Sequence, residues 1–178
     1  MASDLSRAHA LAKDIRLMAF DVDGVLTDGK LFFSAQGEVM KAFHSHDGAG
    51  LVLLQQAGIE IAIITGRDTE IVNQRAKNLG INVVLQGVRD KRTAYEELLQ
   101  ERKLSFSEAG FMGDDLLDLS TLIAVNFSAA PPEAHHLVRQ HVTYLTKARA
   151  GKGAAREVCE LILEAQGKLD GLWLNGAA

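Results

Sequence analysis

Leu17-Met18-Ala19-Phe20-Asp21-Val22-Asp23-Gly24 is an apolar run closed by two aspartates one residue apart. It has the make-up of a buried strand. Side chains alternate faces along a strand, which predicts that Asp21 and Asp23 point the same way. The apolar run stops at Asp21, so the pair falls at a strand's carboxyl end, where open α/β sheets keep their sites. Two neighbouring carboxylates repel each other, and this placement requires a compensating cation. A divalent metal together with a phosphate ester accounts for the pair.

Outward from that run, apolar bursts alternate at the spacing of strands and helices. Strands are predicted at 15–20, 59–64, 82–85, 108–112 and 123–127. The stretch 59–64 is rich in isoleucine and continuous, as a strand buried on both faces should be. Residues 31–34 and 38–43 flank Ala35-Gln36-Gly37, which predicts a β-hairpin. Helices are predicted at 47–56, with Leu51, Leu53 and Leu54 on one face and Gly58 as a stop, and at 68–79, closed by Gly80. Others are predicted at 89–103, with Tyr95, Leu98 and Leu99 on one side, at 116–122 and at 153–166. Pro131-Pro132 marks a turn, and the last dozen residues read as a loose tail.

The alternation predicts an α/β fold, a doubly wound parallel sheet with right-handed crossovers. One domain is expected over 1–178, with a core at 15–166, a small hairpin flap at 29–43 and a C-terminal tail at 167–178. Neither Asp28 to Thr65 nor Lys91 to Asp114 leaves room for an inserted cap domain.

Composition narrows the function classes. Apolar residues make up 47% of the 178, enough for a full core and against disorder. A net charge of -4 and the lack of any basic run argue against nucleic acid as a partner. No stretch approaches the about 18–20 apolar residues of a membrane span. The N-terminus lacks the apolar segment of a secretory signal. Cys159 is the single cysteine, which fits a reducing compartment and a packing role. A soluble, cytoplasmic protein is expected.

Three more polar sites stand at strand ends. Thr65-Gly66-Arg67 follows Ile61-Ala62-Ile63-Ile64. A hydroxyl, an accessible glycine N–H and an arginine fork suit phosphate oxygens. Lys91 opens the helix after the next strand, where an ammonium reaches the same point. Gly113-Asp114-Asp115 follows Phe111-Met112, with Asp118 one turn on. Carboxylates there complete an oxygen shell for a hard cation such as Mg²⁺. Singly, each site reads as a turn, a helix cap or a solvated charge. Together, and in this order, they point to one phosphate site.

The set Asp21-Val22-Asp23-Gly24-Val25-Leu26-Thr27, Thr65-Gly66-Arg67, Lys91 and Gly113-Asp114-Asp115-Leu116-Leu117-Asp118 resembles the haloacid dehalogenase (HAD) superfamily of phosphatases. Lys41-Ala42-Phe43, Asp47-Gly48-Ala49-Gly50 and the segment from Gly151-Lys152-Gly153 to Asp170 resemble its capless branch, typified by phosphatases of 3-deoxy-D-manno-octulosonate (KDO) 8-phosphate. The resemblance implies that Asp21 is the nucleophile and that Asp23 is the acid–base residue. It implies that Mg²⁺ is held by Asp21, the Asp23 backbone carbonyl and Asp114. Thr65, Gly66 and Lys91 would contact the phosphoryl oxygens, while Asp115 or Asp118 orients the loop and Lys91. His44, Ser45, His46, Asp47, Gly48, Arg67 and Arg75 would contact the sugar acid. A homotetramer is implied, with the hairpin and tail shaping a neighbour's site. His46 and Val52 stand where relatives often carry basic residues, and Ala150-Gly151 replaces a usual glycine pair. Three functions follow: KDO 8-phosphate hydrolysis, hydrolysis of a nine-carbon sialic or deaminated acid 9-phosphate, or a non-catalytic oligomerisation domain.

Overall fold

The computed structural model describes residues 5–174, so the expected domain's residues 1–4 and 175–178 lie outside the described residues. In chain order the strands are β1 (Leu17–Phe20), β2 (Phe32–Ser34), β3 (Gly37–Met40), β4 (Glu60–Ile64), β5 (Val83–Leu85), β6 (Ala109–Met112), β7 (Phe127–Ala130) and β8 (Tyr144–Leu145). The helices are α1 (Leu5–Ala12), α2 (Ser45–Gln56), α3 (Glu70–Asn78), α4 (Lys91–Glu101), α5 (Leu116–Ala124), α6 (His136–His141), α7 (Ala154–Ala165) and α8 (Leu169–Leu174).

Six strands form a parallel sheet in the order β5-β4-β1-β6-β7-β8, and β2 pairs with β3 as a separate antiparallel hairpin. The chain winds outward from β1 through β4 to β5, then returns across β1 to β6. That reversal puts a crevice at the carboxyl end of β1. Period-2 alternation decides which residues face which helices. Met18 and Phe20 pack with Leu51 and Leu54 of α2 and Val158 and Ile162 of α7. Leu17 and Ala19 face the other way, onto Tyr95 and Leu99 of α4 and Leu122 of α5. Both faces are dry, which explains the unbroken apolar strands.

Several elements depart from expectation. The strand expected at 123–127 is instead the end of α5 followed by β7 at Phe127–Ala130. Ile123 is an exposed helical residue, and β7 is built from Phe-Ser-Ala-Ala. A strand pressed between two helix layers accepts small residues, which carry no β signal. Helix α1 buries only Ala8 and Ala12, so its periodicity is faint. Helix α6 and strand β8 are too short to register in a periodicity. Part of the stretch read as a loose tail is helix α8, whose Leu169 packs against the core. The hairpin matches expectation: it adds no buried apolar residue and leaves Phe32, Phe33, Val39 and Met40 exposed.

Candidate active site

Register brings the strand-end residues together. Phe20 pairs with Ile63 of β4 and Met112 of β6, so the residues just past each strand share one level. The Asp21 N–H donates to the Met112 carbonyl at 3.0 Å. The strand ends at Phe20, and a wide turn over Val22–Leu26 follows, closed by the Thr27 N–H donating to the Val22 carbonyl at 3.0 Å. Asp23 therefore lies in a turn, and strand alternation does not set its direction. The two aspartates expected to point alike join two different charge clusters.

The first cluster holds Asp21, Asp114, Asp118 and Lys91. The three carboxylates offer oxygens within 4.8 Å of one another. Lys91 Nζ, 3% exposed as a residue, lies 2.9 Å from Asp21 Oδ1 and 2.6 Å from Asp118 Oδ1. The other Asp118 oxygen accepts from the backbone N–H groups of Asp114 and Asp115 at 2.9 and 3.2 Å. Asp118 is thus fully engaged and fixes both Lys91 and the Gly113-Asp114-Asp115 loop. Asp115 is exposed and caps α5. Gly24 stands at φ +87°, and a Cβ there would run into the Asp114 carboxylate. Glycine alone lets the β1 turn and the β6 loop close on each other.

Three carboxylates, those of Asp21 and Asp118 buried and that of Asp114 half-buried, against one ammonium leave two negative charges without a partner. Burial, helped by Asp118 and opposed by Lys91, raises Asp21 from 3.8 to about 6. Burial, then the charges of Asp21, Asp118 and Asp115, raises Asp114 to about 8. The same two acids, Asp21 and Asp118, hold Lys91 above its ordinary value, outweighing the burial that works against its charge. Asp114 accepts no side-chain hydrogen bond among the described residues. A hard dication bound by Asp21 and Asp114 fits both the charge deficit and the all-oxygen donor set.

The second cluster contains residues that the sequence did not single out for the site. Asp23 Oδ1 lies 2.5 Å from Nζ of Lys41, whose side chain is wholly buried. Lys41 also lies 2.7 Å from Glu38 Oε1, and Glu38 Oε2 lies 3.5 Å from Arg67 Nη2. Arg67 Nε returns to Asp23 Oδ2 at 3.9 Å. Charges in this ring cancel. The only sequence signal was that Lys41-Ala42-Phe43 matched a family pattern.

The other expected residues are placed as follows. Thr65 is buried at the end of β4, its N–H donating to the Leu85 carbonyl at 2.9 Å, with Gly66 exposed beside it. Arg67 lies over the Phe33 ring of the hairpin at 5.5 Å. Ser45 and His46 are exposed on the first turn of α2, and the His46 ring meets that of His44 edge-on at 5.1 Å. Arg75 lies over Phe43 at 5.5 Å, and its guanidinium fills the space a side chain at Gly48 would take. No hydrogen bond or ion pair among the described residues joins His44, Ser45, His46 or Arg75 to either cluster. Asp47, expected at the substrate, is 2% exposed and faces α7. Its carboxylate accepts from the N–H groups of Gly153 at 3.2 Å and Arg156 at 2.8 Å. It caps a helix, which is where a buried carboxylate near an amino terminus is stabilised.

A cleft of about 430 Å³ opens beside the first cluster, lined by Gly24, Asp28, Lys30, Asp114, Arg149 and Lys152. A larger cleft of about 580 Å³ lies at the opposite, amino ends of β1, β4 and β6, around Lys13, Arg16, Glu108 and Lys168. It holds no comparable group of carboxylates, so size does not mark the site here.

No family model matches the chain. A Yersinia pestis protein named 3-deoxy-D-manno-octulosonate 8-phosphate phosphatase KdsC is 44% identical over 160 residues, 90% of this chain and 86% of its own. A crystal structure of the phosphatase of that name from Moraxella catarrhalis, in complex with magnesium ion, phosphate ion and KDO, superposes with a TM-score of 0.93 at 41% identity, covering 96% of this chain and 98% of the other. A structure from Legionella pneumophila described as a HAD superfamily (subfamily III A) hydrolase gives 0.92 at 38% identity, covering 96% of each chain. With identity of this order across most of both chains, the chain belongs to the 3-deoxy-D-manno-octulosonate 8-phosphate phosphatase family of the HAD superfamily.

Proposed function

We propose that this chain hydrolyses a sugar-acid phosphate monoester, KDO 8-phosphate, to KDO and phosphate, with Mg²⁺ as cofactor. The observation that carries the reading is the strand-end cluster of Asp21, Asp114, Asp118 and Lys91, two positive charges short of neutrality in a chain with these relatives. Asp21 attacks phosphorus and becomes an aspartyl-phosphate. Asp23 gives a proton to the departing sugar oxygen, then takes one from the water that attacks the phosphoenzyme. Thr65, the Gly66 N–H and Lys91 bind the phosphoryl oxygens, and Asp118 keeps Lys91 in place. Bound Mg²⁺, held by Asp21, Asp114 and the Asp23 carbonyl, supplies the charge that lets a carboxylate approach a phosphate dianion. Asp115 stays outside, as the cap of α5.

Arg67 and Arg75, with His44, Ser45, His46 and Gly48 at the α2 start, bind the sugar acid in this reading, while the Asp47 carboxylate holds the α7 amino end against them. Arginine's planar fork suits its carboxylate. The exposed apolar face of the hairpin supports a homotetramer. The single, buried, unpaired Cys159 supports the cytoplasm as the compartment.

The test is phosphate release from KDO 8-phosphate and from a nine-carbon acid 9-phosphate, with and without Mg²⁺. Faster turnover of the eight-carbon ester, absolute need for Mg²⁺ and loss of turnover in Asp21→Asn support the reading. Preference for the nine-carbon ester moves the substrate, and no release from any ester overturns the enzyme.

A further inference from the structure

The second cluster is built in a way that the fold itself does not require. Lys41 directly follows β3, in a hairpin that contributes nothing to the core. A lysine there is expected to reach into water. Instead its side chain is 0% exposed, and both its close partners are carboxylates, Asp23 at 2.5 Å and Glu38 at 2.7 Å. Glu38 is held in turn by Arg67, whose guanidinium lies over Phe33. Four residues from three segments thus close a ring around one carboxylate. Its two oxygens are treated differently. Oδ1 receives the Lys41 hydrogen bond, while Oδ2 accepts none and has only Arg67 Nε at 3.9 Å.

We propose that Lys41 is a positioning residue for Asp23, held by Glu38: it pins Oδ1 and so presents Oδ2 to the leaving-group oxygen. The hairpin is then part of the proton-delivery device as well as a surface for contacts. The proposal rests on the phosphatase reading above. In the step concerned, the bond from Asp21 to phosphorus forms as the bond from phosphorus to the sugar oxygen breaks. The electron pair stays on that oxygen, which takes the proton from Asp23. A misdirected Asp23 slows this step in proportion to how badly the leaving group needs a proton. A sugar alkoxide needs one, whereas p-nitrophenolate leaves without it.

The experiment is to measure kcat/KM of wild type, Lys41→Met, Lys41→Arg and Glu38→Gln on KDO 8-phosphate and on p-nitrophenyl phosphate. This quantity covers the steps through phosphorylation of Asp21 and excludes the later water attack. Lys41→Met is expected to lose roughly 100-fold on the sugar ester, the lower end of what a general acid contributes, and under about threefold on the aryl ester. Lys41→Arg is expected to recover part of the loss, and Glu38→Gln to show the same selectivity at smaller size. Equal losses on both esters in Lys41→Met and Glu38→Gln, or no loss on either, overturn the proposal. Should Lys41→Met not fold, Glu38→Gln decides by the same criterion. A wild-type chain inactive on both esters sinks the phosphatase reading itself, a result distinct from any variant pattern.

Discussion

At the scale of single residues, the site works by unequal charge. Asp118 shares its oxygens among Lys91 and two backbone N–H groups, so its removal frees three partners at once. Groups that orient metal-binding loops typically carry about 10–100-fold in affinity or activity. Asp118→Ala is therefore expected to weaken Mg²⁺ binding by about that factor, as titration calorimetry checks. The raised values of Asp21, about 6, and Asp114, about 8, carry a stability consequence. Between an unfolded carboxylate near 3.8 and these values, the folded chain holds more protons than the unfolded one. Stability of the metal-free protein then falls as pH rises through that window, and it recovers when a dication occupies the site. Melting curves in chelator are expected to shift downward from about pH 5 to about pH 8, with the increment from added Mg²⁺ growing over the same range. A flat profile in chelator would contradict the charge deficit. That Asp21, Lys91 and Asp114 come together was legible because each lies within two residues of a strand's carboxyl end or opens a helix. Lys41 and Glu38 were not, because a charged residue in a hairpin looks solvated until its partner 18 positions away is folded against it. The α7 partners of Asp47 were hidden for the matching reason: Gly153 and Arg156 lie more than 100 positions on.

At the scale of elements, one carboxylate ties the C-terminal half of the sheet to its last long helix. Glu157 of α7 accepts from the Tyr144 hydroxyl at 2.6 Å, the Lys147 N–H at 2.9 Å and the Ala148 N–H at 2.8 Å. The loop it fastens leads directly to Arg149 and Ala150, which line the cleft beside Asp114. Glu157→Ala leaves those donors without their acceptor, at about 1–3 kcal/mol. Urea unfolding is expected to show that loss, with the fold otherwise intact. Elements with strong periodicity or isoleucine-rich runs matched expectation closely: β4 starts one residue later than expected, and α4 is two residues shorter at each end. The strand β7 did not, since Phe-Ser-Ala-Ala earns its place by fitting between helices. Its register beside β6 cannot be seen in one phenylalanine and three small residues.

At the scale of the whole molecule, the hairpin stands apart from the sheet, with Val39 and Met40 exposed on β3. Apolar side chains gathered on a surface mark a contact face. Val39→Glu combined with Met40→Glu is expected to convert the homotetramer proposed here to smaller species, read by light scattering, with circular dichroism unchanged. An unchanged mass would show that the hairpin face is not the contact. Local sequence determined the α/β class, the β1 run and the acids that close strands, because periodicity and turn chemistry act over a few residues. Only the tertiary structure decided that β1 lies at the centre of the sheet, that Asp21 and Asp23 join separate charge clusters, and that Lys41 is buried against Asp23. Those facts depend on which distant segments meet, and it is long-range packing and the cancellation of buried charge that select the partners.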